Sequence, residues 1–342
     1  MNAGARHAVA LNSCTAALHL ALAAIGVKKG DEVILPTMTF AATGEVVLYF
    51  RARPVLVDCA ADSFHVDPLA VQKAITSKTK AILPVHFAGL PCEMSPILEI
   101  SRALALRIIE DAAHALPASY RGKMVGALGD ITCVSFYATK TLTTGDGGMA
   151  TTDDPGLAQK IRLLSLHGLG RDAWKRYTAE GSWRYEILEP GFKYNLGDMQ
   201  AAMGLAQLAK CEIMRRRRAH LAERYQRLIA PLDAYLMPSV PEYAEHAWHL
   251  FVLRVNDSVM PISRDRVIVE LKQRGIETSV HFIPLHLHPL YQQLLGYEPG
   301  QFPNAEKSFE SSISLPMYPD MTDLEQDQVA EALYDIAREH RR

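Results

Sequence analysis

Cysteine is scarce and unpatterned in this chain: Cys14, Cys59, Cys92, Cys133 and Cys211 are scattered, odd in number and without a C-x-x-C pair. That argues against a disulfide framework and, with no Cys/His spacing of the zinc type, against a metal site; a reduced cytoplasm is the expected location. Charge of one sign is also lacking, with 36 basic against 38 acidic residues and a formal charge of -2. Neither nucleic acid nor an anionic membrane is therefore an expected partner. No apolar run approaches the roughly eighteen residues of a membrane span, and the first residues lack the basic, apolar and small-residue succession of a secretory signal. The sequon Asn256-Asp-Ser258 thus has no secretory context and reads as an accidental match. Repeats and low-complexity tracts are missing as well.

What is present is an ordinary globular composition, 342 residues with 49% hydrophobic and 22% charged, enough for two domains with substantial cores. Short β-branched runs, Val33 to Leu35, Val55 to Val57, Ala81 to Val85, Arg107 to Ile109 and Ile131 to Phe136, alternate with helical stretches up to about residue 165. Such alternation predicts an α/β fold with a mainly parallel sheet. Residues 167 to 194 break the pattern with an aromatic, mixed-charge loop, long enough to suggest a function such as covering a neighbouring subunit's site. The spacing then predicts one long helix from Asp198 to about Leu228, in which Arg215 to Arg218 form a solvated cluster paired by Glu212 and Glu223. Beyond about Ala230, the run His246 to Val255, a helix from Ser263 to about Arg274 and the segment Gly275 to His286 predict a small α+β domain. The expected division is residues 1–228 and 229–342.

Three elements carry chemistry. Lys140 stands among small, hydroxyl-bearing and glycine residues between Ser135 and Met149, with no local charge to pair it. A desolvated lysine loses part of its preference for the charged form, and its neutral amine can add to a carbonyl as a Schiff base. A lysine that merely pairs with a carboxylate at a strand end is the plainer alternative. Next, Ile108-Ile-Glu-Asp111-Ala-Ala-His114 puts a carboxylate at a strand end and a flat ring three residues on. In a doubly wound sheet that end opens into the ligand crevice, where Asp111 could hold a heterocyclic nitrogen protonated and His114 could lie against a ring. A helix cap and a histidine satisfied by a backbone carbonyl explain the same residues. Last, Asn12-Ser13-Cys14-Thr15 runs into the apolar helix pattern Ala16 to Ile25. The amides of such a helix start, with the Thr15 hydroxyl, suit a phosphate; an ordinary N-cap is again the alternative.

Further pieces are Gly30-Asp-Glu-Val-Ile-Leu-Pro36-Thr-Met-Thr-Phe40-Ala-Ala-Thr43, Pro54-Val-Leu-Val-Asp58, Gly145-Asp-Gly-Gly148 and Tyr194-Asn195-Leu-Gly-Asp-Met-Gln200. In this order they resemble the DegT/StrS-type family of sugar aminotransferases dependent on pyridoxal 5'-phosphate (PLP), and the resemblance covers essentially the whole chain. It implies PLP-transferase fold type I, an α/β large domain with a mainly parallel mixed sheet between helices plus a small C-terminal α+β domain. It also implies that Lys140 forms the Schiff base with PLP and later moves the substrate proton, and that Asp111 partners the pyridine nitrogen. His114 and Phe40 would lie against the ring, and Cys14, Thr15 and Ser135 around the phosphate. Asn195 resembles the asparagine that reaches the phosphate of the neighbouring subunit's cofactor, implying a homodimer with shared active sites. His281 and His286 fall in a segment similar to the family's histidine-bearing loop and are expected at the substrate; no metal is implied.

The implied reaction moves an amino group from glutamate to a nucleotide-linked keto-sugar, for cell-surface polysaccharide or lipid A (lipopolysaccharide) modification. Asp172-Ala-Trp-Lys-Arg, Pro190-Gly-Phe-Lys-Tyr-Asn195 and His246-Ala-Trp-His249 look most similar to enzymes aminating C4 of a UDP-linked 4-keto pentose, on a scaffold shared with enzymes for UDP- and dTDP-4-keto-6-deoxyhexoses. A sugar dehydratase of the family would carry histidine in place of the lysine, and a non-catalytic regulator would be expected to lose Asp111 or Lys140. The chain keeps both residues. Family members usually carry a few dozen residues of helix and glycine-containing loop ahead of the phosphate-binding turn, whereas Met1 precedes it by about a dozen. A longer native product is expected, which sequencing the amino terminus of the native protein would check.

Overall fold

Aliphatic residues close together leave no polar face on a strand, and such strands must be covered on both sides. That is the case for Glu32–Pro36, Arg107–Asp111 and Ile131–Ser135, whose residues are buried in unbroken succession after at most one starting position. The computed structural model describes residues 4–61, 63–170 and 185–341. In chain order it runs β1 (His7–Leu11), α1 (Cys14–Ala24), β2 (Glu32–Pro36), α2 (Ala41–Leu48), β3 (Arg53–Val57), α3 (Pro68–Ala74), β4 (Thr79–Ile82), α4 (Met94–Leu104) and β5 (Arg107–Asp111). A hairpin of β6 (Ser119–Tyr120) and β7 (Lys123–Met124) leads to β8 (Ile131–Ser135), β9 (Gly148–Thr152) and α5 (Pro155–Leu164). There follow α6 (Asp198–Leu208), α7 (Cys211–Ile229), β10 (Tyr235–Leu236), β11 (Ala244–Glu245), β12 (Phe251–Val255) and α8 (Arg264–Gln273). The chain closes with α9 (Pro289–Leu295), α10 (Pro303–Ser311), β13 (Ser312–Leu315) and α11 (Asp323–His340). Among the described residues no helix is long and apolar enough to cross a membrane.

The main sheet has seven strands in the order β1-β9-β8-β5-β4-β2-β3. Five of them, β8 through β3, run parallel, and β9 runs antiparallel to both β1 and β8. The expected α/β class with a mainly parallel, mixed sheet is what forms. Because β9 reverses direction, β1 and β8 point the same way, and their carboxyl ends open on the same edge as that of β5. The register fixes the neighbours there: Gly148 stands between Leu11 and Ser135. Helix α1 is apolar all round and is buried from Ala16 through Leu22, as a helix surrounded by protein must be.

A second core joins Leu221, Tyr225 and Ile229 of α7 to Phe251 and Leu253 of β12, Ile313 of β13 and Leu333 and Ile336 of α11. It therefore begins inside α7, ahead of residue 229. Later, Leu285 and Tyr291 return to the first core, and the amides of Asn304 and Ala305 donate to the Asp58 carboxylate at 3.1 and 2.9 Å. Two expectations change. The single helix from Asp198 is two helices, since α6 buries no residue whereas α7 turns to bury Cys211 and Arg218. The arginine cluster is only half solvated: Glu212 pairs Arg215 and Arg216 at 2.7 and 3.0 Å, but Arg217 and Arg218 reach backbone carbonyls of distant segments.

Candidate active site

The carboxyl ends of β1, β5 and β8 border a cavity of about 420 Å³. Ser13 caps α1, its Oγ accepting from the Ala16 amide at 3.0 Å. The Cys14 and Thr15 amides at the start of that helix have no intrahelical acceptor by the geometry of helix ends, and both residues lie on the cavity wall. No side chain fits behind them. A Cβ on Gly148 would stand 2.5 Å from the Cys14 nitrogen, so glycine is what lets β9 approach the helix start. Ser135, opposite Gly148 in the ladder, faces the same cavity.

Asp111 ends β5 and is buried. Its Oδ2 accepts from the Thr43 hydroxyl at 2.7 Å and its Oδ1 from the Ala113 amide at 3.1 Å. Burial raises its pKa from the ordinary value, while these two donors and the charge of Lys140 oppose the rise. Behind it, the Glu110 carboxylate is fully buried and accepts from Gly129 N, Thr132 Oγ1 and the His86 ring. The strand end that presents Asp111 is thereby fixed on its rear face.

Lys140 lies on the wall, and burial lowers its pKa to about 8, against the pull of Cys14 and Asp111. Its Nζ is 3.5 Å from His249 Nε2. His114 accepts from the Ala88 amide through Nδ1 at 3.2 Å, and its ring centroid is 4.4 Å from that of His249. Burial holds His114 well below the usual imidazole range, with His249 and Lys140 adding to the effect. Phe40 precedes α2 with its side chain 59% exposed at the mouth, a ring left open to a ligand. His281 also lines the wall; it is tied to Ser314 Oγ at 2.8 Å, and burial takes it down to about 4.

Two residues named from the sequence lie apart. His286, expected at the substrate, is instead fully buried between Thr37 Oγ1 at 2.7 Å and Glu306 Oε1 at 2.9 Å. It is a satisfied core histidine that braces the returning C-terminal segment. Asn195 is off the cavity wall, bridged to Leu11, with its Oδ1 accepting from Lys193 Nζ at 2.5 Å. The loop expected to cover a neighbouring site is described only in part, because residues 171–184, including the run Asp172 to Arg176, lie outside the described residues. Sequence reasoning missed Thr43 and His249 as members of the site. Only the placement of Thr43 one turn after Phe40, beside a strand end, signals the first.

The set accommodates a phosphate at the start of α1, a flat ring with a basic nitrogen near Asp111, and a carbonyl within reach of Lys140. These are the functional parts of PLP. Similarity to known proteins agrees. The profile of the DegT/DnrJ/EryC1/StrS aminotransferase family matches residues 2–334. The chain is 52% identical over 338 residues to the uncharacterized protein MJ1066 of Methanocaldococcus jannaschii, covering 99% of this chain and 88% of that one. It is 47% identical over 336 residues to the spore coat polysaccharide biosynthesis protein SpsC of Bacillus subtilis, covering 98% and 86%. Its fold matches with a TM-score of 0.90 that of Spr1654 from Streptococcus pneumoniae, described as a sugar aminotransferase and solved in its PLP form, at 34% identity over 98% of this chain and 88% of that chain. The chain therefore belongs to the DegT/DnrJ/EryC1/StrS family of PLP-dependent aminotransferases.

Proposed function

We propose that this aminotransferase moves the amino group of glutamate onto a nucleotide-linked keto-sugar, a UDP-4-keto sugar foremost, for a cell-surface polysaccharide or lipid A. The observation that carries the reading is the part-buried amine of Lys140 sharing one cavity with the Asp111 carboxylate and the start of α1. PLP supplies an electron sink at the carbon that loses its proton. The residues do the rest. The Cys14 and Thr15 amides, the Thr15 hydroxyl and Ser135 would hold the phosphate with donors alone; Asp111 would keep the ring nitrogen protonated; His114 and Phe40 would flank the ring. Lys140 would hold the cofactor through its amine and, once freed by the amino donor, would move the substrate proton. His281 is the proposed sugar contact. Asn195, off this subunit's wall, is the proposed contact to the phosphate of a second copy, and the exposed apolar side chains of α6, Met199 at 84%, Met203 at 47% and Leu205 at 72%, support a covering partner. The name of the SpsC relative supports the polysaccharide setting, and five unpaired cysteines support the cytoplasm.

Added PLP is expected to give a visible absorbance band that glutamate bleaches and the correct keto-sugar restores. A panel of UDP-4-keto pentose and UDP- and dTDP-4-keto-6-deoxyhexoses identifies the acceptor; restoration by none of them would sink the nucleotide-sugar reading. Bleaching by another amino acid but not by glutamate would replace the donor. The cradle has its own test. Gly148→Ala forces Cβ into the Ser13–Cys14 backbone, an overlap costing about 1–3 kcal/mol, so PLP affinity measured by titration is expected to fall about tenfold or more.

A further inference from the structure

We propose that His249 activates Lys140, its Nε2–H donating to the Nζ lone pair so that the amine is kept uncharged and aimed into the cavity. The inference rests on Lys140 being the reacting amine, and it concerns what prepares that amine.

The two ring nitrogens of His249 have different surroundings. Nε2 lies 3.5 Å from Lys140 Nζ, whereas Nδ1 is buried with no hydrogen-bond partner among the described residues. A neutral imidazole carries one proton. Placed on Nδ1, that proton would make a buried N–H with no acceptor, the rarest kind of unsatisfied group; placed on Nε2, it leaves only an idle lone pair behind. The Nε2–H form is therefore favoured, and the atom it meets must offer a lone pair. A neutral lysine amine does, and an ammonium does not. A doubly protonated ring would orphan one N–H and set its charge near Lys140 and Arg218. Burial and those two charges accordingly hold His249 well below the usual histidine range.

The turn that presents His249 is held against strain. Trp248 has a φ of 52°, in the left-handed region that a bulky residue rarely adopts. Its amide donates to His246 Nδ1 at 2.8 Å, and the two rings stack with centroids 4.0 Å apart. On either side, the Ala247 amide donates to Gly89 O at 2.9 Å and the Leu250 amide to Ala88 O at 3.1 Å. From α7, the buried guanidinium of Arg218 donates through one nitrogen to the carbonyls of Trp248, His249 and Met317, each at 3.2 Å. The ionisable groups facing the His249 ring come from several elements: Lys140, Arg218 of α7, His281, His246 in the same turn, and His114 after β5. None of these is a carboxylate that would favour a charged imidazole.

The test reads the amine itself in PLP-free protein. Lys140 is trapped with trinitrobenzenesulfonate across a pH series, and its labelling rate is followed by peptide mass spectrometry. The wild-type midpoint is expected near 8. His249→Phe keeps a ring in place but has no N–H, and the midpoint is expected to rise by about one pH unit, the worth of one lost hydrogen bond. His249→Gln, which keeps an N–H donor of similar reach, should restore the wild-type midpoint. An unmoved midpoint in the Phe variant, or equal shifts in both variants, overturns the proposal and leaves His249 a packing residue. A measurement on the unsubstituted protein stands beside these should the variants not fold. Histidine-selective ¹⁵N NMR should find His249 as the Nε2–H tautomer, and the Nδ1–H tautomer would refute the donor role. Because neither readout involves glutamate, sugar or PLP, failure here leaves the proposed transamination untouched, and the reverse also holds.

Discussion

Lys140→Ala is expected to lower transamination by about 10,000-fold or more while leaving PLP able to bind. Among the described residues on the cavity wall, Lys140 is the one primary amine, so no neighbour can take over as nucleophile or as carrier of the substrate proton. The groups proposed to hold the phosphate and ring come from the start of α1, the residue before α2, the end of β5 with the turn after it, and the end of β8, and do not lean on the lysine; the hydrogen bonds of Asp111, His114 and Ser135 run to Thr43, Ala113, Ala88 and Tyr137 instead. Bound PLP is therefore expected to persist, with the visible band of the lysine adduct gone. A small free amine diffusing into the space left by the side chain should recover part of the rate. Near-wild-type turnover in the alanine variant would show that the reacting amine lies elsewhere and would remove the basis of the proposed mechanism.

The parts of the fold legible in sequence are those where burial is two-sided. β2, β5 and β8 are covered on both faces, so their aliphatic runs stand out without any pairing information. β4 ends earlier than its apolar run suggests: Pro84 has no N–H for the ladder, and Val85 keeps only an isolated bridge to Asp111. β1 and β9 are hidden because His7-Ala-Val-Ala-Leu11 and Gly148-Met-Ala-Thr-Thr152 dilute their few β-branched residues with alanine and glycine, which have weak strand preference, and their pairing with each other and with β8 is what completes them as strands. The site divides in the same way. Asp111, Ser135 and the α1 start are visible because each sits at the end of a recognisable element, and Lys140 because it stands between such a strand end and a glycine turn. His249 is not, since its position depends on the left-handed Trp248 and on a guanidinium thirty-one residues away in the chain. Arg218 misleads for the reason that hides His249. Nothing within its own helix announces that three carbonyls from two later segments converge on it.

Asp111→Asn separates charge from shape at the other end of the cofactor site. The amide has nearly the volume of the carboxylate, and its oxygen can still accept from the Ala113 amide that now donates to Oδ1 at 3.1 Å. Its NH₂ would meet the Thr43 hydroxyl, which can accept it by turning its own proton toward Thr39 Oγ1, 2.7 Å away. Folding is thus expected to change little, by about 1 kcal/mol in a denaturation midpoint, as for one exchanged hydrogen bond. What disappears is the negative charge. An uncharged amide cannot hold a ring nitrogen protonated, so the stabilisation it gives as electrons move toward the ring is lost just when it is needed. Losing one such electrostatic contact costs about 100- to 1,000-fold in kcat, with little effect on KM for the amino donor. Asp111→Glu is the complementary probe: it keeps the charge but must displace Thr43 in a buried space, so it should lose stability more than rate per folded molecule. Should the asparagine variant turn over as the wild type does, the hydrogen bonds of Asp111 would be its whole role, and the pairing with a ring nitrogen would have to be abandoned.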